Sequence, residues 1–431
     1  MPTTPPWPRA GTRATPSACE TNYSCSLIVD AAYRLSQGGS GLVIKCAHSV
    51  SRPLFVILLT IFVNLIGFGI IIPLLPFYAE TFGASPIVIG LLFAVFSICQ
   101  LAAAPALGEL SDRHGRRPVL IFSLAGTVVS FAMLALAHSV TMLFLARIVD
   151  GLSGGNISTA RAYVADITKP KDRARAYGLI GAAFGLGFIL GPALSGVLVK
   201  VSYTAPIWAA ALITLVATGV AWLWLPETVH RAHAGTGNPF RFLPDLLRRA
   251  GLRRMLAIDF VYWFAFAIFQ TTFALFASRR FGFDASHTGY VFSAFGVLGA
   301  LVQAVCIRPV ARRLGDKRTF VLGLCSTVAG LVAAAFAPSV LWLYLSLVPL
   351  ALGIGFGHPT VASLVSRAAH GDEQGRVQGA ASALESSGRT IGPIWGNASL
   401  QHLGDATPYL SAAGCLVMTL VMTVGYQVSD E

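Results

Sequence analysis

Gly108-Glu109-Leu110-Ser111-Asp112-Arg113-His114-Gly115-Arg116-Arg117-Pro118 is the stretch from which the fold can be read. Gly108 and Gly115 permit a tight turn and a close helix approach, and Asp112 among Arg113, Arg116 and Arg117 has the composition of a charge-assisted network. Long apolar segments flank it, 87–107 before and 118–137 after. The stretch is therefore a basic turn between two helices of membrane length. It serves either as an anchor at the membrane surface or as a latch that holds one access state.

Working outward, twelve such segments can be marked, at 54–77, 87–107, 118–137, 141–165, 175–199, 204–225, 255–278, 286–307, 319–337, 340–366, 376–400 and 407–427. A span needs about 20 mostly apolar residues, because hydrocarbon leaves every backbone N–H and C=O to be satisfied within the helix. With 55% hydrophobic and only 12% charged residues, the 431-residue chain cannot clothe a soluble globule of its size. Its solvent is lipid. The fold class expected is all-α integral membrane, with twelve transmembrane helices.

A formal charge of +12 invites a nucleic-acid reading, but the placement of the basic residues excludes it. Most of the 31 Lys and Arg fall in the loops after spans 2, 4, 6, 8 and 10, whereas the opposite loops hold Lys200, Arg279 and Arg280. That asymmetry places both termini in the cytoplasm and the chain in the inner (plasma) membrane as a multi-pass protein. The seven cysteines show no metal or redox spacing. No P-loop, HExxH or GxSxG pattern occurs either, so neither an enzyme nor an ATP-driven pump is indicated, and no catalytic residue, metal or cofactor is assigned.

A repeat with an offset of 199 to 201 residues organises the chain: Phe82-Gly83 recurs as Phe281-Gly282, Gly90 as Gly289, Gly115 as Gly315, Gly178 as Gly379, and Gly191-Pro192 as Gly392-Pro393. Two six-helix bundles, 51–225 and 255–427, are thus expected on either side of a basic cytoplasmic linker at 226–254, with a short tail at 428–431. Parallel repeats of this kind place a substrate cavity between the halves, with access alternating as the bundles rock. Residues 1–50, rich in Pro, Thr, Ser and Ala, read as a disordered tail or as the product of a start assigned upstream of one near Val50.

The quoted loop matches the signature loop of the major facilitator superfamily without a gap, and the resemblance extends over nearly all of 54–427. In the second half the corresponding stretch, Val310 to Arg318, keeps Gly315 but has Arg312 where Asp112 stands. Arg147-Ile148-Val149-Asp150-Gly151-Leu152-Ser153-Gly154-Gly155 resembles the family's R-x-x-x-G-x-x-G-G motif. Span 5, with Gly187, Gly191, Pro192 and Gly196, is similar to the motif associated with drug:proton antiporters. Physically, those glycines let a neighbouring backbone approach, and Pro192 removes a helix hydrogen bond and bends the span. Within the superfamily the chain most resembles tetracycline efflux and multidrug transporters, carried also by Ile66 to Pro76 in span 1 and Tyr163 to Thr168. Where tetracycline exporters have acids before the span 1 Gly pair and inside span 3, this chain has Asn64 and Ser130.

The resemblance implies a secondary exporter of small amphipathic or hydrophobic compounds, driven by protons. It gives Arg147 a part in proton coupling, the alternative being a static pair with Asp150 one turn away. If protons drive export, membrane-embedded acids must carry them, and the candidates are Asp150, Glu385, which has Arg389 at i+4, and Asp259, expected at the wet end of span 7. Glu385 and Arg389 can equally be a structural pair. Candidate substrate contacts are Asn64, Gln100, Gln303, and the aromatic-rich span 7, Phe269 and Gln270 above all. The expected partners are a small-molecule substrate, protons and the lipid bilayer, with the protein a monomer. An uptake permease on the same fold is the alternative, followed by a membrane assembly or sensing protein without transport.

Overall fold

The computed structural model describes residues 51–154, 156–169, 172–228, 245–368 and 373–424. The expected tail at 1–50, Gly155, linker residues 229–244 and the C-terminal 428–431 lie outside the described residues. Of the two units into which the chain divides, Met1–Ser51 and Arg52–Glu431, the second holds all the helices considered below.

The helices are α1 (Arg52–Glu80), α2 (Pro86–His114), α3 (Arg116–Ala135), α4 (Val140–Ser153), α5 (Asn156–Ile167), α6 (Arg173–Leu198), α7 (Ala205–Trp224), α8 (Ala250–Phe281), α9 (Ala285–Leu301), α10 (Ile307–Ala335), α11 (Val340–Arg367), α12 (Gln374–His402) and α13 (Thr407–Val424). Among the described residues there is no strand, as expected where every backbone group must be paired inside a helix.

Nine helical stretches among the described residues are long and apolar enough to cross a membrane. One of them, Ala285–Ala335, is 51 residues long and covers two expected spans. There α9 runs through a π turn at Val302–Cys306 into α10, and the chain bends at Gly315, where φ is 75° and ψ is 164°. Two expected spans fall outside the nine. The continuous helix expected over 141–165 is broken between α4 and α5, where glycine weakens the helix and the Gln100 side chain donates to the Gly154 carbonyl at 3.1 Å. The other is α12, whose Ser-, Gly- and Gln-rich sequence lowers its apolar character.

The repeat is visible in the backbone. Gly115 and Gly315 both take positive φ, 103° and 75°, as do Gly83 and Gly282, 76° and 70°, which only glycine adopts without strain. Ser139 and Ser339, 200 residues apart, each cap the next helix by accepting from the N–H three residues on. Within the halves, α6 packs on α1 through Gly187 and Gly191: a methyl added at Gly191 would lie 2.7 Å from Ile66 O. At the equivalent place α12 packs on α8, and a methyl at Gly392 would lie 2.7 Å from Phe264 O.

The halves meet through two equivalent seams. Along α2–α12 a methyl at Gly90 would lie 2.5 Å from Pro393 O, and along α6–α9 one at Gly289 would lie 2.7 Å from Pro192 O and 2.8 Å from Gly196 Cα. Ile87 N donates to Gln401 Oε1 at 3.2 Å, and Ser286 Oγ to Gly196 O at 2.6 Å. These contacts all lie at the end opposite the 108–118 loop. Toward the basic end of α6, methyls at Gly178, Gly181 and Gly185 would meet nothing within 4 Å. Trp222, Leu223 and Trp224, each more than half exposed, form an amphipathic collar at the basic end of α7.

Candidate transport site

The 108–118 loop is tied down within the first half. Arg116 is its hub: Nη1 lies 2.6 Å from Asp112 and donates to Ser111 Oγ at 2.8 Å, and Nε reaches Asp166 of α5 at 3.3 Å. Glu227, just beyond α7, accepts from the backbone N–H groups of Arg116 at 2.9 Å and Arg117 at 3.2 Å, capping α3. Arg117 donates to Trp222 O at 2.6 Å. Arg113 differs from the expectation, since it pairs with Glu109 on the exposed surface, outside the Asp112 network. Gly115 is required by its φ of 103°, and a side chain there would also displace the Glu227 carboxylate. Gly108 has open space around it.

The second half carries a charge-swapped version of this brace. Asp316 stands where Arg116 stands and pairs with Arg367 of α11 at 3.0 Å, while also accepting from Ser363 Oγ at 2.6 Å. Arg367 is the repeat counterpart of Asp166. Both halves thus join the helix after the loop glycine to a neighbouring helix by an ion pair, with opposite polarity.

Arg147 and Asp150 do pair within one helix turn, at 2.7 Å, with the arginine side chain only 2% exposed. The Arg147 guanidinium also lies 4.1 Å from the centre of the Phe96 ring, on α2. Ser130 is buried and donates to Thr127 O, and Asn64 is half-buried. Phe68 joins this region to α6 through rings at 6.0 Å to Phe96 and 5.9 Å to Phe188.

In the second half Glu385 and Arg389 are half-buried on α12 and in electrostatic contact. Arg389 lies 5.2 Å over the Trp263 ring of α8, which also meets the His358 ring of α11 edge-on at 4.6 Å between centroids. Arg161 of α5 brings a positive charge from the first half toward Glu385 and His358. Asp259 corrects the expectation of a wet helix end: it is 2% exposed, within electrostatic reach of Glu385 and Arg389. The reason is its packing, since α12 presents Gly388 to the α8 backbone, where a methyl would lie 3.0 Å from Phe260 O.

The remaining candidates are dispersed. Phe269 is buried among Phe273, Phe295 and Tyr409, at 5.6, 5.6 and 6.2 Å, and with Tyr262 and Phe266 lines a small apolar cavity inside the second half. Gln270 is buried beside it, Gln303 is exposed in the π turn, and Gln100 is engaged at the α4–α5 break. Sequence reading passed over Glu227, Asp166 and Arg161. The Pro226-Glu227-Thr228 triplet after a span was the available signal for the first, and an arginine within a membrane segment for the last.

Comparison with known proteins gives a consistent picture. Residues 57–393 match the family model described as Major Facilitator Superfamily. The chain is 34% identical to tetracycline resistance protein, class G, of Vibrio anguillarum over 78% of this chain and 87% of that protein. It is 30% identical to multidrug resistance protein 2 of Bacillus subtilis (strain 168) over 88% of this chain and 96% of that protein. Among solved structures, the human organic anion transporter MFSD10 (TETRAN) superposes with a TM-score of 0.67 at 24% identity, over 86% of this chain and 99% of that one. The nucleoside transporter NupG does so with a TM-score of 0.74 at 14% identity, over 88% and 100%.

Proposed function

The chain belongs to the Major Facilitator Superfamily, and on that premise we propose that it is a secondary active transporter exporting small amphipathic or hydrophobic compounds across the inner membrane by alternating access, as a proton antiporter. The observation that carries this reading is the pair of equivalent seams, interlocked at one end through Gly90 and Gly289, with open space around the α6 glycines Gly178, Gly181 and Gly185 at the other. Two halves built on one repeat can rock about such seams, so that a site between them faces one side at a time. With both termini cytoplasmic and the basic loops inside, the described state opens inward.

The tetracycline and multidrug resistance relatives support drug-like cargo. Asn64 and Ser130 accept and donate hydrogen bonds but carry no proton, so coupling falls to Asp150 with Arg147 and to Glu385 with Arg389. The same two residues are what favours the second reading, an uptake permease. In the export reading Gly187, Gly191, Pro192 and Gly196 form the surface on which α6 moves against α1 and α9. The Arg116 hub with Asp112 keeps the inner ends of the first half moving as one body. The protein works as a monomer with a small molecule, protons and lipid as its partners. Inverted vesicles carrying the protein test this with a panel of fluorescent dyes and antibiotics. Accumulation that appears with a proton gradient and collapses when it is discharged is expected, and no gradient-dependent accumulation of any compound would refute the proposal.

A further inference from the structure

The two seams that join the halves are built on one repeat but are closed differently. With the 201-residue offset that relates Gly191-Pro192 to Gly392-Pro393, Gly196 of α6 corresponds to Asn397 of α12. The positions they face also correspond, Gly289 of α9 to Gly90 of α2. At α6–α9 glycine therefore meets glycine, and a methyl at Gly289 would lie 2.8 Å from Gly196 Cα. At α2–α12 one member carries a polar side chain instead: a methyl at Gly90 would lie 3.0 Å from Asn397 Cβ.

The hydrogen bonds differ as well. Across α6–α9, Ser286 Oγ donates to Gly196 O at 2.6 Å and Ser293 Oγ to Ile189 O at 2.9 Å. The 199-residue offset puts Ile87 and Ala94 at those two places in α2, where no hydroxyl is available. Asn397 does not replace them. Its Nδ2 turns back along its own helix to Pro393 O at 2.9 Å, and its Oδ1, in a fully buried residue, has no hydrogen-bond partner among the described residues. Ile87 N reaches across this seam to Gln401 Oε1 at the exposed rim. Two hydroxyls near the other seam, those of Ser195 and Thr288, also lack partners. They lie one turn from Gly191 on the α1-facing side of α6 and one turn from Phe292 in the second-half core, so parting α6 from α9 leaves them buried.

A buried amide oxygen that accepts no bond has given up hydration with nothing in its place. That disfavours its state by a factor of roughly 5 to 150 against one in which water reaches it. Asn397 stands on the last turns of α12, which ends at His402, so it lies about 7.5 Å from the outer end. Separation of α2 from α12 at that end wets it. We propose that Asn397 is a conformational device of the outer seam: its unbonded oxygen raises the free energy of the closed seam, and outward opening relieves it. The proposal rests on the alternating-access part of the reading above and on neither the cargo nor the coupling ion.

A cysteine at Ala274 reports the opening. That residue is 1% exposed, in an apolar plug that joins the halves through Phe77, Ala285 and Val199. In right-side-out vesicles, the rate at which an impermeant maleimide labels Ala274→Cys follows the outward-open fraction, with protein lacking the added cysteine as background. Asn397→Ala and Asn397→Gly, the latter copying Gly196, should each slow that labelling about tenfold, since the oxygen is gone while the Nδ2 bond, internal to α12, is lost from both states alike. Damage to packing would speed labelling, so the predicted slowing is distinct from a folding defect, and either variant supplies the reading if the other does not fold. Labelling of a folded variant at the parent rate or faster overturns the proposal alone. A parent never labelled from outside would refute alternating access, and the proposal with it.

Discussion

Removing the carboxyl of Asp150 tests whether the buried Arg147 depends on it. In Asp150→Ala the guanidinium loses a partner at 2.7 Å, with its side chain 2% exposed and Nε and Nη2 already lacking hydrogen bonds among the described residues. For charge centres about 4 Å apart and an effective dielectric near 20, the lost attraction is about 4 kcal/mol. Breaking a buried pair by removing one member costs roughly 3–5 kcal/mol by experience. The Phe96 ring, 4.1 Å from the guanidinium, stays in place and so drops out of the difference. The expected net loss is therefore roughly 4 kcal/mol, a factor of about 1,000 in the folding equilibrium. Unfolding of the purified protein in detergent, by denaturant midpoint or thermal melt, measures it. Arg147→Met combined with Asp150→Ala should recover most of the loss, because no unpaired charge remains, yet it should still transport poorly if the pair serves coupling. Asp150→Ala unfolding like the wild type would refute the reasoning that the pair is desolvated.

Three further outcomes follow from the geometry. Gly90→Val forces side-chain atoms against α12, where even a methyl would lie 2.5 Å from Pro393 O; overpacking of this kind costs about 1–3 kcal/mol, so it should open the outer seam and raise labelling of a cysteine placed at Gln401 by an impermeant thiol reagent. Glu227→Ala removes an acceptor for the N–H groups of Arg116, Arg117 and Thr228 and should lower the melting temperature by the equivalent of about 2 kcal/mol, with Glu227→Gln losing less. Partial burial of Asp284, at the start of α9, works against its charge, but the bonds and charge of His287 and the Ser286 N–H outweigh it and hold the carboxyl below its usual range. Its contribution is therefore fully present above about pH 4 and lost as the pH falls through the lowered value. Hydrogen exchange in the first turn of α9 should accelerate over that acidic window, and Asp284→Ala should abolish the acceleration.

Much of the fold was legible because membrane helices announce themselves by apolar length and because the repeat keeps glycine where the backbone needs it. Gly115 with Gly315, and Gly83 with Gly282, were found as letters and proved to share a left-handed backbone. The broken span 4 was less legible: its glycines signalled close packing, and only tertiary contact with Gln100 shows them as a break. The site was harder. Ion pairs within one helix turn, such as Arg147–Asp150, can be read from spacing, whereas Arg116 with Asp166 and Glu227 joins residues far apart in sequence. Asp259 was misplaced because its burial is set by Gly388 on another helix.

The most direct measurement of proton-coupled export is proton movement itself. Liposomes reconstituted with the protein, loaded with a compound that the vesicle panel identifies and containing a pH indicator, are diluted into compound-free buffer. The lumen should acidify as the compound leaves, and not in Glu385→Gln liposomes. Loss of the compound with an unchanged lumen, or with a lumen that turns alkaline in step with it, would contradict antiport.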